Sequence, residues 1–333
     1  MSQWLVARRF EGQVRSRSIV RRGSGGGRIV VAVIGLVALL AVPLLPTGAA
    51  SAPPPPADHA YPTKIRHVVV LVFENQDAGT VYAHGPFFHY LATTYAYETG
   101  TYAICHPSAP NYLALTSGAT YSQCGSDTHY LYNVTNIADL VQGANLTWGA
   151  FDESMPRPCD LYGAYPYAVK HNPLLFYTDV ASNSLRCDAH VTNLSRFYYD
   201  INTSQVPAYS FITPNLLDDG HDTNLSYADS WLHGFLTPMV NQSFFAQTAF
   251  FIVFDEGTTH AGAGGSYKGP TNSTGGGHVY LSIVSPLSVG VGNISFDASD
   301  YSVLTTSEWL LGLGTTGHRD RAYLWPPLRG AFS

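Results

Sequence analysis

Two adjacent pairs of oxygen-bearing side chains, Glu74-Asn75 and Asp255-Glu256, each follow directly on an apolar run. Carboxylate and amide oxygens are hard ligands, suited to Mg²⁺, Ca²⁺ or Mn²⁺. His278, preceded by three glycines, offers a nitrogen that shifts the choice toward Zn²⁺ or Fe. Acids at strand ends also serve as solvated groups or helix caps. Two such pairs on strands that should be neighbours favour a divalent metal.

Ser108 lies in His106-Pro-Ser-Ala-Pro-Asn111, two residues before a proline that suits a helix start. Read alone, it is a helix N-cap. A helix N-terminus also attracts anions, and a hydroxyl there, beside a metal, becomes a candidate nucleophile for phosphorus. Asn111, one turn on, could donate to a phosphoryl oxygen. His171 and His221 are candidate proton donors to a leaving oxygen, although single histidines are more often structural or surface residues. His106, Asp219 and Asp222 are further candidates for the same site.

These residues need a scaffold. His67–Phe73, Ala249–Phe254 and Val279–Val284 are continuous apolar runs, the mark of strands buried on both faces of a parallel sheet, and Tyr209–Ile212 is a shorter candidate. Helices are predicted over Pro110–Thr116, Ile137–Gln142, Leu174–Ala181, Ser226–Val240 and Ser302–Leu311. The alternation predicts an α/β fold with a mainly parallel central sheet flanked by helices. The Gly/Ser/Thr-rich segment 257–277 is expected to be a long loop. In such sheets ligands bind beyond the carboxyl ends of the strands, which is where the polar residues collect.

Residues 1–52 combine a basic start, an uncharged apolar stretch at 29–46 and the small-residue site Ala50-Ser51-Ala52. This order is that of a secretory signal; the alternative is an uncleaved membrane tether through 29–46. Residues 53–63 form a Pro-rich linker, and 64–333 suit one catalytic domain. The expected location is outside the cell, secreted or on the outer face of its membrane. From residue 53 onward, 10 Lys and Arg face 22 Asp and Glu, a balance that argues against nucleic-acid binding. Four cysteines in an exported chain imply disulfides; of three possible pairings, Cys105–Cys124 and Cys159–Cys187 are expected. Eight Asn-x-Ser/Thr sequons, at Asn133, Asn145, Asn193, Asn202, Asn224, Asn241, Asn272 and Asn293, suggest a glycosylated surface.

The stretches VVLVFENQ (69–76), HPSAPNYLALTSG (106–118), KHNP (170–173), FITPNLLDDGHD (211–222), FFIVFDEG (250–257) and GGH (276–278), in this order, resemble the phosphoesterase family of phospholipases C and acid phosphatases. That family lies within the alkaline phosphatase superfamily. The closing YSVLTTSEWLLGLG (301–314) is similar to the family's last helix. The resemblance implies a three-layer α/β sandwich and a metal held by Glu74, Asn75, Asp255 and Glu256. It implies Ser108 as nucleophile with a phosphoserine intermediate, and Asn111 steadying the phosphoryl oxygens. His221 and Asp222 match the family's Asp-x-His-Asp stretch, His171 its Lys/Arg-His-x-Pro stretch and His278 the superfamily's late His. The superfamily's two-zinc pattern has an Asp first and an Asp-His pair later. Glu-Asn and Asp-Glu stand here instead, so one metal is expected.

The expected function is hydrolysis of a small phosphoester in the manner of an acid phosphatase. Cleavage of phospholipid diesters is the nearest alternative, and many aromatics, 22 Tyr and 16 Phe, are its one hint. An inactive surface-binding protein on the same scaffold is the alternative of another class. A sulfatase is disfavoured because no Cys/Ser-x-Pro-x-Arg motif occurs at the nucleophile.

Overall fold

The computed structural model describes residues 59–259, 275–318 and 325–332. The 1–52 segment, most of the linker, the centre of the 257–277 loop and the Asn272 sequon lie outside them.

The strands are β1 (His67–Phe73), β2 (Ala96–Glu98), β3 (Thr101–Tyr102), β4 (Trp148–Asp152), β5 (Val191–Asn193), β6 (Tyr209–Thr213), β7 (Thr248–Phe254), β8 (Leu281–Val284), β9 (Gly292–Ile294) and β10 (Ala298–Ser299). Eight of them form one sheet in the order β5-β4-β6-β1-β7-β8-β2-β9, while β10 pairs with β3. The block β5 to β7 is wholly parallel, and β8 runs antiparallel to both its neighbours.

Side-chain alternation along the central strands builds two cores. Val68, Val70 and Val72 of β1, with Phe251 and Val253 of β7, pack on one face against the helices Ser108–Ser117, Ile137–Gly143 and Asp300–Leu310. Val69, Leu71 and Phe73, with Phe250, Ile252 and Phe254, pack on the other. There they meet Ala78–His84, Pro86–Thr94, Ser195–Asn202 and Leu225–Met239. A strand covered on both faces must be apolar at every position, which is why β1 and β7 read as unbroken runs. Each buried Val, Leu or Phe contributes about 1.5–3 kcal/mol, so the sheet centre carries much of the fold's apolar stabilisation. The expected α/β sandwich is the one observed.

Two elements differ from expectation. The helix expected over Leu174–Ala181 is a 3₁₀ turn, Pro173–Phe176, and a short helix, Thr178–Ala181, with Tyr177 extended between them at φ −103°, ψ 129°. Tyr177 is extended because it bridges to Tyr132: Tyr132 N–H donates to Phe176 O at 2.8 Å and Thr178 N–H to Tyr132 O at 2.9 Å. The strand expected from Val279 begins at Leu281, because His278 and Val279 form isolated bridges to Tyr102 and Asp77.

Both expected disulfides are present, Cys105–Cys124 and Cys159–Cys187, with Cα separations of 5.7 and 5.3 Å. Of the seven described sequon asparagines all but Asn193 are exposed; Asn193 donates its amide to Met155 O at 2.8 Å.

Candidate active site

Strand register assembles the site. Phe73 of β1 and Phe254 of β7 are partners, so the next residues, Glu74 and Asp255, leave the sheet side by side. The Asp255 N–H donates to Phe73 O at 2.9 Å, and the Asn75 N–H to Asp255 Oδ1 at 3.2 Å. Asn75 holds the left-handed φ of 55°, a conformation that L-residues adopt at a cost and that gathers at functional sites. The loop after β6 folds back over the end of β1, where Glu74 N–H donates to Asp219 O at 3.1 Å. This places the Asp219 carboxylate beside Glu74.

His171 arrives from a 3₁₀ turn, Val169–His171, pinned under the strand ends. Thr213 Oγ1 donates to His171 O at 3.0 Å, and Asn172 Nδ2 donates to Asp152 Oδ2 at 2.7 Å. The imidazole is buried, with Nε2 3.4 Å from Glu74 Oε1 and Nδ1 3.6 Å from Asp219 Oδ2. Ligand atoms of Glu74, His171 and Asp219 all lie within 4.8 Å of one another.

Ser108 does not cap its helix. Pro107 is the N-cap, and Ser108 Oγ donates to Glu74 Oε2 at 3.1 Å. Tyr112, one turn later, donates its phenol hydrogen to Glu74 Oε1. At the same helix end Ala109 N–H donates to Asp127 Oδ1 at 3.0 Å, and Lys170 Nζ donates to Asp127 Oδ2 at 2.8 Å.

Burial and mutual repulsion dominate the electrostatics. Glu74 is held well above the usual carboxylate range by burial, then by the charges of Asp255 and Asp219. Burial pushes Asp219 up to about 8 and Asp255 up to about 7. Burial, with Lys170 and His221 adding to it, holds His171 far below its ordinary value, so the ring is neutral. Both His171 nitrogens, Asp219 Oδ2 and Asp255 Oδ2 are buried without a hydrogen-bond partner. Buried polar atoms of this kind carry a desolvation cost of about 1–3 kcal/mol each unless satisfied. Three clustered carboxylates, a neutral imidazole and four unpartnered atoms fit a divalent cation.

The expected residues are only partly gathered here. Glu74, Asp255, Ser108, His171 and Asp219 converge. His221 stands next to them: its ring centroid is 5.9 Å from that of His171, its Nδ1 is 2.7 Å from Asp222 Oδ1, and its N–H donates to Asp219 Oδ1 at 2.7 Å. Glu256 is engaged by His106, whose Nδ1 is 2.6 Å from Glu256 Oε2, a contact that raises the His106 pKa.

Three of the expected residues stand in surroundings that their sequence context does not reveal. His171 is buried and neutral, with its two nitrogens toward the carboxylates of Glu74 and Asp219. Asn111 is fully buried; its amide donates to Cys105 O and Pro107 O at 2.7 and 3.4 Å, and its Oδ1 accepts from Ile104 and Cys105 N–H, both at 3.1 Å. It shapes the 104–107 loop and has no hydrogen left for a phosphoryl oxygen. His278 lies 2.9 Å, through Nε2, from Thr99 O and stacks on Tyr102. The glycines before it serve packing: a Cβ on Gly276 would stand 2.7 Å from Cys105 O. Tyr112, Asp127 and Lys170 were not anticipated. Their signals were the four-residue spacing from Ser108 to Tyr112 and the lysine adjoining His171.

The fold is similar to that of solved members of the alkaline phosphatase superfamily. It superposes on a member of that superfamily from Vibrio parahaemolyticus with a TM-score of 0.53 at 14% identity, covering 82% of this chain and 72% of that one. It also superposes on the phosphonate monoester hydrolase of Agrobacterium radiobacter with a TM-score of 0.52 at 13% identity, covering 80% and 77%.

Residues 80–313 match the phosphoesterase family, and the chain belongs to it. It is 35% identical over 171 residues to the phosphate-repressible acid phosphatase of Penicillium chrysogenum, covering 49% of this chain and 41% of that protein. It is 28% identical over 307 residues to the phosphatidylinositol-3-phosphatase of Mycobacterium tuberculosis, covering 90% and 93%. The chain spans 41% of the length of the Penicillium relative.

Proposed function

We propose that this chain is an exported, metal-dependent phosphoester hydrolase whose nucleophile is Ser108. The observation that carries the reading is the buried Ser108 hydroxyl, directed at Glu74 within a cluster of like-charged carboxylates. Glu74, Asp255, Asp219 and His171 would hold the ion, with Asn75 beside them. A bound divalent cation supplies charge neutralisation at the phosphoryl group and favours the alkoxide of the serine.

Ser108 Oγ attacks phosphorus in line, forming the Oγ–P bond as the bond from phosphorus to the leaving oxygen breaks. Glu74 Oε2, which already accepts the hydroxyl hydrogen, takes the serine proton when the carboxylate is ionised. The leaving oxygen takes a proton from His221, whose Nδ1 is oriented by Asp222. Water then cleaves the phosphoserine: its oxygen bonds to phosphorus as the Oγ–P bond breaks, its proton goes to His221, and Glu74 returns a proton to Ser108 Oγ. Lys170 and the Ala109 N–H, both on the nucleophile's side of the cluster, are the donors for phosphoryl oxygens.

Relatives named acid phosphatases support a monoester substrate. A lipid phosphomonoester is the second reading, favoured because the relative aligned over 93% of its length is named for a phosphoinositide. The disulfides support export. Ser108→Ala should lower turnover of p-nitrophenyl phosphate by at least about 10³-fold while the fold persists. Undiminished turnover of this monoester and of bis-p-nitrophenyl phosphate would exclude Ser108. Comparing phosphatidylinositol 3-phosphate with phosphatidylcholine separates lipid monoesters from the diesters of a phospholipase C.

A further inference from the structure

We propose that Tyr112 is a positioning residue of this site, fixing the Glu74 carboxylate and the His171 ring together, so that one helical turn sets both nucleophile and ion cradle. The inference rests on the metal reading given above.

Ser108 and Tyr112 are four residues apart on one helix and share a face. Their hydroxyls divide Glu74 between them, Ser108 Oγ at Oε2 and the Tyr112 phenol at Oε1. The last torsion of a glutamate is soft, so a carboxylate bound at one oxygen can swing. Bound at both oxygens by one helix, it cannot turn without breaking a buried hydrogen bond.

The same aromatic ring lies against His171, with centroids 5.3 Å apart and planes 4° apart. His171 has no hydrogen bond at either nitrogen, so no polar partner sets its ring plane. The Tyr112 face does so, while the Thr213 bond to His171 O anchors the backbone beneath. Glu74 Oε1 and His171 Nε2 are thereby held facing each other at 3.4 Å. Tyr112 is itself completely buried and enclosed by Glu74, His171 and Phe211, so it acts through its neighbours rather than on substrate.

The test uses Mn²⁺ alone as probe, titrated calorimetrically into the full chain after EDTA treatment. Tyr112→Phe keeps the stacked ring and removes the donor. Outer partners of metal ligands are worth about 10–100-fold in affinity. Mn²⁺ affinity should therefore fall at least about tenfold, and kcat for p-nitrophenyl phosphate should fall with KM within about twofold. Thr116→Val removes another buried hydroxyl of this helix, one bonded to Tyr177 at 2.6 Å, and controls for lost stability alone. It should lower the melting temperature and leave Mn²⁺ affinity intact.

Wild-type Mn²⁺ affinity in Tyr112→Phe overturns the proposal, as does an affinity loss of equal size in Thr116→Val. If Tyr112→Phe does not fold, Tyr112→Gln and Tyr112→Leu decide: tighter Mn²⁺ binding by the glutamine variant supports the donor, and equal binding overturns it. A wild-type protein that binds no Mn²⁺ removes the metal reading and this inference with it. A wild type that binds Mn²⁺ while Tyr112→Phe binds it equally well leaves the metal reading standing and removes only Tyr112.

Discussion

Glu74 and Asp255 are neighbours because Phe73 and Phe254 are register partners on parallel strands. Sheet geometry thus forces two carboxylates together at a buried strand end, and the β6 loop adds a third, Asp219, through its carbonyl bond to the Glu74 N–H. The price appears in the titration of these acids, and it yields the first prediction.

Burial raises Asp219 to about 8 and Asp255 to about 7 in the folded chain, against an ordinary 3.8. The folded state therefore binds these protons more tightly than the unfolded state does. Their contribution to stability is complete below about pH 4 and is lost as pH rises through 7 to 8. In EDTA the melting temperature should fall by more than about 5 °C between pH 5 and pH 8. Millimolar Mn²⁺ should remove most of that fall, since it replaces the protons. Scanning calorimetry across pH, with and without the ion, checks both; parallel curves would remove the ion from this cluster.

Asp127 sits where an anion belongs. Its carboxylate takes the Ala109 N–H at the start of the Ser108–Ser117 helix and the Lys170 ammonium. A phosphoryl oxygen approaching Ser108 must share those donors with it. Asp127→Asn removes one negative charge and leaves an acceptor for the backbone. Inorganic phosphate should then inhibit about three- to tenfold more strongly, the value of one charge-assisted hydrogen bond in competition. Inhibition constants against p-nitrophenyl phosphate measure this; weaker inhibition would make Asp127 a purely structural brace.

The central strands and half of the site were legible in the sequence for one reason: a strand buried on both faces has no freedom of composition. β1 and β7 announce themselves, and so do the acids that end them. β4, interrupted by Gly149, and the three-residue β5 are too short to show a pattern. Ser108 was legible by motif, but its hydrogen bond to Glu74 spans 34 residues and depends on folding. His171 looked like a proton donor because its burial was not visible in a polar stretch, KHNP. The surroundings of Asn111 and His278 were hidden for a related reason. Each is polar and close in sequence to site residues, yet backbone groups at 104–107 and Thr99 claim their side chains.

The Cys159–Cys187 disulfide closes a loop with a sequence separation of 28 and braces the segment leading to Lys170 and His171. Cys159 N–H also donates to Val191 O at 2.9 Å, and Asp160 accepts from Tyr162 and Gly163 N–H at 2.9 and 3.2 Å. A loop of this length contributes about 3–4 kcal/mol through the unfolded chain's lost entropy. Replacing both cysteines by serine should lower the unfolding free energy by about that amount, read by urea denaturation. A loss below about 1 kcal/mol would show that the hydrogen bonds alone fix the loop.

Glu308 offers a pH effect in the last helix. It is buried, pushed up to about 8 by that burial, and its Oε1 accepts the Thr316 N–H at 3.2 Å. A raised carboxyl pKa means that its contribution to stability is present below about pH 4.5 and is lost as pH climbs toward 8. Glu308→Gln keeps the acceptor and cannot ionise. The variant and the wild type should therefore be equally stable near pH 4 and diverge above it. At pH 8 the glutamine variant should be more stable by about 1–3 kcal/mol, the full shift being discounted for incomplete burial. Phosphatase activity should not change, because Glu308 supplies no group to the carboxylate cluster. Urea titrations at pH 4, 6 and 8 decide the matter. A wild type that is the more stable of the two at pH 8 would mean that the ionised carboxylate is satisfied by partners beyond Thr316.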